Sequence, residues 1–326
     1  MCNTTRRSLV AGALALPFAR AAHAQAPNWP AGQTIKLTAP FAPGGSVDAL
    51  ARLTQPGLQQ RLGATVIVEN RAGAGGATGA SIVAKAPPDG NNWLYVFDSH
   101  AVLPSLMQLN FDAKKDLDPV MLVGTAPMVI ACHPSRPFKS FADVIAAAKA
   151  KPDTISYGTV GNGSLGHLSM ILLGKKGGFV TRHLPYRGGG PAVNDAVAGH
   201  IDLIIGSAAL LAAQIEAGAL RPLLQTGAQR LANLRETPTA KEAGFPDFEA
   251  LAWWGIFATA GTPKAIQERM LKELDATFRD DRVAKVLTET QQITLLLRGP
   301  EEFRKFFDEQ MTIWGAVVRE NDIKPD

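Results

Sequence analysis

Apolar residues along this chain fall into short runs that alternate with stretches of helical spacing. Residues 35–41 predict a strand, and after a glycine turn residues 46–62 predict a helix. Residues 65–69 and 92–97 predict two further strands, with a second helix through Lys85 between them. This β-α-β-α-β order indicates a parallel sheet with right-handed crossovers. The helical spacing of the first helix rests on Val47, Leu50, Ala51, Thr54, Leu58 and Leu62.

The middle of the chain repeats this alternation, and the last third adds two helices that begin at prolines. Thr262-Pro263 and Gly299-Pro300 each predict a helix start, because proline is favoured at the first helical position. These helices are expected to run to about residues 280 and 319. The middle segment predicts strands over residues 129–132, 155–158, 201–205 and 221–226, and helices over residues 138–151, 164–173 and 191–198.

The pattern predicts an α/β fold of two doubly wound lobes. The first lobe comprises residues 25–124 and 227–326, and the second comprises residues 125–226. The chain is expected to cross between the lobes near residues 123–125 and to return near residues 225–230. Because the composition of these segments does not resemble a flexible linker, two crossing strands are expected to form the hinge.

The first 24 residues have the three parts of a secretory signal peptide. Arg6 and Arg7 form a positive n-region, residues 9–18 form a short apolar h-region, and Ala-His-Ala at residues 22–24 is a small-x-small cleavage site. Cleavage there would place the mature protein in the periplasm. The paired arginines also match a twin-arginine signal, so the twin-arginine and Sec routes both remain open.

Composition and charge exclude several classes of protein. A chain of 326 residues with 46% hydrophobic and 19% charged residues can bury a substantial core, so it is not a disordered protein. No apolar run reaches the length of a transmembrane helix. Of the 33 Lys and Arg residues, three lie in the first 24 residues, which leaves 30 against 29 Asp and Glu. A chain so close to neutrality, without a basic cluster, is not expected to bind nucleic acid.

Three glycine-rich turns are candidates for ligand binding. The first, residues 40–46, and the second, residues 161–164, each join a strand to a helix N-terminus, where free N–H groups and the helix dipole favour an anion. Two such turns facing each other across a cleft would hold one carboxylate from both sides. Plain connections capped by Ser46 and Ser164 explain the same residues. The third turn, residues 73–79, lacks the G-x-G-x-x-G spacing of a dinucleotide site, so no cofactor is expected.

Catalytic and metal sites find little support in the sequence. Residues 162–166 nearly form a nucleophile elbow, but Asn162 stands where the first glycine should be. Ser164 and His167 lie three residues apart on one helix face, which is poor geometry for a nucleophile and its base. The histidines of the mature chain have no metal-ligand spacing, and Cys132 is expected to be a buried strand residue. Neither an enzyme nor a metal site is therefore predicted.

A series of short motifs spans nearly the whole of the expected mature chain. They are residues 40–52 (PFAPGGSVDALAR), 68–76 (VENRAGAGG), 88–90 (PDG), 185–188 (PYRG), 199–202 (GHID), 238–244 (PTAKEAG), 254–255 (WG) and 261–263 (GTP). In this order they resemble the motifs of the substrate-binding proteins of tripartite tricarboxylate transporters, often called the Bug family.

The resemblance implies a periplasmic binding protein of type II-like fold, whose two lobes are joined by two crossing strands and close on a small carboxylate. It implies a monomer that delivers the ligand to the membrane subunits of a transporter, with no cofactor and no metal. One end of the ligand would lie between the first turn and the second-lobe turn, and the far end would meet more variable residues. The candidate ligand-binding residues are Phe41, Ala42, Gly44, Gly45, Ser46, Asp98, Ser99, His100, Thr159, Gly161, Asn162, Gly163, Ser164, His167, Tyr186, Arg187 and Gly188.

The identity of the ligand stays open at this point. Asp98-Ser99-His100 brings an acid and an imidazole to a place where many members of the family carry small residues. Dicarboxylates, tricarboxylates, acidic amino acids and aromatic acids are all candidates, and Arg187 could point into the cleft or into solvent. A ligand-sensing protein for a signalling partner would use the same cleft, and a secreted hydrolase using Ser164 or Ser99 with a histidine is the third alternative.

Overall fold

The computed structural model describes residues 29–325, so the predicted signal peptide, residues 1–24, lies outside the described residues. The first third of the described part follows the predicted β-α-β-α-β order. The 3₁₀ turn Ala74–Gly76 precedes the second helix of this region, and the 3₁₀ turn Asp98–Ala101 follows its third strand. The elements are β1 (Thr34–Ala39), α1 (Ser46–Leu62), β2 (Thr65–Asn70), α2 (Ala77–Ala84), β3 (Asn92–Phe97) and α3 (Leu103–Leu106).

Helix α1 buries the face that its apolar spacing predicts. Leu50 and Leu58 are fully covered, and burial of a leucine side chain contributes roughly 1.5–3 kcal/mol. The helix ends at Gly63, whose φ of 64° is the left-handed conformation that glycine adopts most readily. α1 is therefore fixed against the sheet, and so is the glycine turn that precedes it.

One long strand, β4 (Leu117–Cys132), runs through both sheets of the molecule. Its first part pairs with β9 (Leu251–Thr259) and β10 (Thr294–Arg298), both antiparallel. From Met128 onward it pairs with β7 (Leu203–Ser207) and β8 (Arg221–Gln225). Cys132, the last residue of β4, is buried as its apolar setting predicts.

The second sheet contains, in order, β4, β7, β5 (Ser156–Thr159) and β6 (Arg182–Pro185), with β8 on the other side of β4. The helix predicted from residue 138 begins at Phe141, because Ser140 forms a capping box with Asp143. The remaining elements of this lobe are α4 (Phe141–Ala150), β5 (Ser156–Thr159), α5 (Leu165–Gly177), β6 (Arg182–Pro185), α6 (Gly189–Val197) and α7 (Ala208–Glu216).

The first sheet orders its strands β2-β1-β3-β9-β4. The predicted parallel pairing of the first three strands is confirmed, and β9 enters antiparallel between β3 and β4. Together the two sheets confirm the two-lobe α/β fold. The predicted lobe limits stay a prediction. β4 changes partners at Met128, close to the first limit, whereas the chain re-enters the first sheet only at Leu251, well beyond the second limit.

The C-terminal helices begin at the prolines that predict them. Pro263 caps α8 (Lys264–Phe278), and Pro300 is the first residue of α10 (Pro300–Glu320). Between them lie α9 (Asp281–Lys285), the π-helical turn Val286–Thr290 and β10. No helix within residues 29–325 has both the length and the apolarity that a membrane span requires.

Candidate functional site

The first glycine turn is held by a buried aspartate. Asp48 accepts hydrogen bonds from the Gly44 N–H at 3.0 Å, from Arg52 Nε at 2.9 Å and from Asn70 Nδ2 at 2.9 Å. Asn70 Nδ2 also donates to the Phe41 carbonyl at 3.1 Å. Burial alone would raise the pKa of Asp48, but the bonds from Arg52, Gly44 and Asn70 outweigh it and hold the pKa below its ordinary value. The turn therefore rests on a charged carboxylate.

Ser46 does not cap α1, contrary to its interpretation as the N-cap. The cap position is Gly45, which has no side chain, and Ser46 is the first helical residue. The Oγ atom of Ser46 accepts a hydrogen bond from Nε1 of the buried Trp254 at 3.2 Å. Because α1 begins without a side-chain cap, the backbone N–H groups of its first turn suit an anion.

The second turn is capped as predicted. Ser164 Oγ accepts from the His167 N–H at 3.5 Å and donates to the Gly161 carbonyl at 2.7 Å. Gly161 and Gly163 have φ values of 135° and 67°, which glycine adopts far more readily than other residues. The Gly163 N–H donates to His167 Nδ1 at 3.2 Å. One ring nitrogen of His167 is thus engaged by the turn itself.

Two stacked histidines support the second turn. The rings of His167 and His183 are 3.8 Å apart, and His183 Nε2 lies 2.7 Å from Thr159 Oγ1. Thr159 in turn bonds the Gly161 carbonyl at 3.1 Å. Burial lowers the pKa of His167 to about 4, and burial together with repulsion from His167 lowers the pKa of His183 to about 3. Both rings are therefore neutral at physiological pH.

Acidification below about pH 6.5 is expected to destabilise the protein through this pair. The unfolded chain takes up both protons near pH 6.5. The stabilising contribution is complete above that pH and is lost as the pH falls toward the folded pKa values of about 4 and 3. The loss is at most about 1.4 kcal/mol per pH unit for each histidine.

Urea unfolding at pH 7.5 and pH 5.0 measures this effect. His183→Gln should lose less stability than the native chain between the two pH values. His200 is exposed, so His200→Gln is the matched control and should behave as the native chain does. An equal loss of stability between the two pH values in the native chain and in His183→Gln would show that His183 does not contribute to the pH effect.

The first turn faces the loop that precedes α6. The Ala42 N–H donates to the Arg187 carbonyl at 3.1 Å, and this bond joins the two lobes. A Cβ atom added to Gly190 would lie 2.3 Å from the Pro43 carbonyl oxygen. The lobes therefore approach so closely that one added methyl group would collide.

A cavity of about 10 Å³ lies between the lobes at this contact. It has room for about one water molecule, so a larger ligand requires the lobes to separate. Helix α1 and helix α6 both begin at its wall, and an anion there would meet two helix N-termini. The lining residues are Phe41, Gly45, Ser46, Val47 and Phe97 from the first lobe, and Val160, Gly189 and Leu210 from the second.

The second turn meets a different part of the first lobe. The Leu165 N–H donates to Asp98 Oδ1 at 3.2 Å, and Asn162 Nδ2 donates to the Lys324 carbonyl at 3.1 Å. Gly163 packs against Leu106. The first and second turns thus do not face each other directly. Val160, just before the second turn, reaches the cavity.

The three candidates after β3 are buried but do not share one environment. Asp98 contacts α5, whereas Ser99 Oγ donates to the Gly75 carbonyl at 3.1 Å. The His100 ring is stacked with Phe307 at 5.5 Å inside an aromatic cluster. Burial lowers the pKa of His100 to about 4. The position of His100 is that of a core residue.

The Tyr186–Gly188 segment offers its backbone to the other lobe. The Tyr186 hydroxyl donates to Asp195 Oδ2 at 2.6 Å, and burial followed by this carboxylate raises the pKa of Tyr186. The Arg187 side chain is exposed, so only its carbonyl takes part in the contact. Gly188 is buried, with a φ of 135° and a Cβ position 3.0 Å from the Ala42 nitrogen.

Three residues that shape the site were missed by sequence reasoning. Asp48 follows Gly44 by four residues, a spacing that lets a helix residue bond the loop before it. Asn70 ends β2, beside the end of β1 in a parallel pair. Gly190 completes a run of three glycines after Arg187. No group of three or more His, Cys, Asp and Glu side chains in residues 29–325 is arranged to hold a metal ion.

Comparison with known proteins identifies close relatives over almost the whole chain. Residues 50–323 match the model of the tripartite tricarboxylate transporter family receptor. Protein BugT of Bordetella pertussis is 33% identical over 325 residues, which cover 99% of each chain.

Two solved structures of Rhodopseudomonas palustris proteins have the same fold. Rpa4515, solved with adipate, has a TM-score of 0.86 and 30% identity, and the match covers 91% of this chain and 100% of that one. MatC, solved with bound malate, has a TM-score of 0.82 and 27% identity, and the match covers 87% of this chain and 98% of that one.

Proposed function

Since the chain belongs to the tripartite tricarboxylate transporter receptor family and is a solute-binding protein of that kind, we propose that its cleft binds a small dicarboxylate. Relatives of 30% and 27% identity bind adipate and malate. Both ligands carry two carboxylates on a short chain. A ligand of this class fits a cleft where helix N-termini meet from two lobes.

The observation that carries the proposal is the meeting of two glycine turns, each at the start of a helix. Gly45 precedes α1 in one lobe, and Gly188 precedes α6 in the other. Neither cap position makes a side-chain cap bond. Both helices therefore offer backbone N–H groups and the positive ends of their dipoles to one carboxylate.

Binding requires the lobes to separate and to close again. The cavity of about 10 Å³ is too small for a dicarboxylate. The proposed hinge lies where β4 passes from the first sheet to the second, beside the segment that leads into β9. The Thr226 N–H there donates to the Met128 carbonyl, and the Ala250 N–H donates to the Thr226 carbonyl. The proposed lobes are residues 25–124 with 227–326, and residues 125–226.

Membership of the family supports a proposed cellular role. Exported by the signal at residues 1–24, the protein would act in the periplasm as a monomer. It would deliver its ligand to the membrane subunits of a tripartite transporter. Catalysis forms no part of this proposal, because the Ser164 and Ser99 hydroxyls both donate to backbone carbonyls.

A thermal-shift panel followed by calorimetry tests this function. Adipate, malate, citrate, glutamate and benzoate would be compared, with adipamide as the uncharged control for adipate. A ligand at about 100 times its Kd adds roughly 2.7 kcal/mol to the folded state. At least one dicarboxylate should raise the midpoint while adipamide does not. A panel in which no dicarboxylate binds, or in which adipamide binds as well as adipate, would contradict the proposal.

A further inference from the structure

Asp98 is an acid buried where the two lobes meet. It lies in the 3₁₀ turn after β3, and its exposed fraction is 1%. Its Oδ1 atom accepts the hydrogen bond from the N–H of Leu165, the first residue of α5. Leu165 belongs to the opposite lobe, so this bond exists only while the lobes are in contact.

The second carboxylate oxygen of Asp98 makes the contact between the closed lobes sensitive to the protonation state of Asp98. Oδ2 is buried and has no hydrogen-bond partner within residues 29–325. A charged oxygen in this position would lack both water and a donor, which is costly. Protonation removes the buried charge, which is the larger part of that cost, while Oδ1 still accepts from Leu165.

The elements that contact the Asp98 turn carry few buried titratable groups. These are His100 in the turn itself, His167 in α5 and Tyr95 in β3, whereas the charged side chains of α5 and α10 are exposed or half-exposed. None of them forms an ion pair with Asp98 in the described part of the chain. Burial therefore raises the pKa of Asp98 to about 8, although backbone N–H groups of Leu165, Ser99 and Asp98 itself oppose the rise.

We propose that Asp98 is a proton-sensitive latch, which holds the ligand-free lobes together while it is protonated and releases them as it ionises. This inference rests on the proposed function, since it assumes lobes that open and close. Because only an open cleft admits a ligand, the latch lowers the apparent affinity in proportion to the fraction of molecules that are open, so fewer open molecules give weaker apparent binding.

The direction of the pH effect follows from the two states. In the open form Asp98 is solvated and titrates near its ordinary pKa of 3.8, whereas in the closed form it titrates near 8. Closure therefore takes up a proton between these values. The preference for closure is complete below about pH 3.8 and is lost progressively as the pH rises to about 8. Within that window the open-to-closed ratio should rise about tenfold per pH unit.

Small-angle scattering of the ligand-free protein between pH 6 and pH 9 tests the latch. The radius of gyration of the native chain should increase over this range. Asp98→Asn keeps an oxygen that accepts from Leu165 but cannot ionise, so it should stay compact throughout. Asp98→Ala should be expanded at every pH. Asp247 is exposed, so Asp247→Asn is the matched control and should follow the native chain.

Two outcomes would overturn the latch. One is a native radius that does not change between pH 6 and pH 9, and the other is an Asp98→Asn variant that expands as the native chain does. Calorimetry of the native protein with adipate and with malate separates this result from the proposed function. Absence of binding alongside the pH response would refute the dicarboxylate ligand and not the latch, and binding without the pH response would refute only the latch.

Discussion

Gly190→Ala is expected at pH 8.5, where the ligand-free lobes are open, to lower the affinity for the dicarboxylate by about 10- to 100-fold without lowering the thermal midpoint. Gly190 is the second residue of α6, where alanine favours the helix by up to about 1 kcal/mol. Its Cβ atom would lie 2.3 Å from the Pro43 carbonyl oxygen of the other lobe. Overpacking of this kind costs about 1–3 kcal/mol, and each 1.4 kcal/mol is tenfold in affinity.

Calorimetry with the carboxylate selected by the thermal-shift panel measures the loss. Gly299→Ala is the matched control, because Gly299 has an ordinary φ of −73° and a Cβ atom there would meet nothing within 4 Å. It should bind as the native chain does. A folded Gly190→Ala variant with native affinity would show that the bound form does not bring these turns together.

Asp48→Ala is expected to reduce both stability and affinity. The change leaves the Gly44 N–H without its acceptor, removes one of the two acceptors of Asn70 Nδ2 and breaks the bond from Arg52 Nε. Hydrogen bonds to a charged group contribute about 1.5–3 kcal/mol, and water can replace part of these because the donors are exposed or half-buried. A loss of about 2–3 kcal/mol in the free energy of unfolding is therefore expected for the three bonds together. Affinity should fall at least about tenfold, because the Phe41–Gly45 turn loses its support.

Urea unfolding and calorimetry measure the two effects of Asp48→Ala. Asp275 forms an i,i+4 pair with Arg279 on an exposed helix face, so Asp275→Ala is the matched control. Exposed helix pairs contribute about 0.3–0.5 kcal/mol, and binding should be unaffected. Native stability in Asp48→Ala would contradict the role of Asp48 as the support of the turn.

The local parts of the site could be predicted from the sequence. The spacing of Leu50 and Leu58 predicts the buried face of α1, and Ser164 predicts the cap of α5. The glycines predict where the backbone turns, because the positive φ of Gly44, Gly161 and Gly163 favours that residue. Each of these features depends on neighbours within a few residues along the chain.

The parts that depend on distant contacts could not be predicted. The first eleven residues of β4 contain Pro119, Gly124 and Pro127, which hide a strand from pattern analysis. β9 enters the sheet antiparallel only because the chain returns from the second lobe. His100 has the residue type of a ligand-binding side chain, but its neighbours are phenylalanines distant in sequence.

The pairing of the turns shows the same limit. Both turns join a strand to a helix N-terminus, and this similarity suggested that the first turn would face the Gly161–Ser164 turn. The docking of the lobes instead brings Pro43 to Gly190 and Leu165 to Asp98. Which loop meets which depends on the relative orientation of two sheets that share β4. No local pattern carries that information.

Hydrogen–deuterium exchange with and without the selected carboxylate tests the central claim most directly, because it reports on the backbone N–H groups themselves. Ligand is expected to slow exchange in peptides covering residues 40–50 and in peptides covering residues 186–194, with the same dependence on ligand concentration. Protection confined to one lobe, or located away from both turns, would contradict a site formed between them.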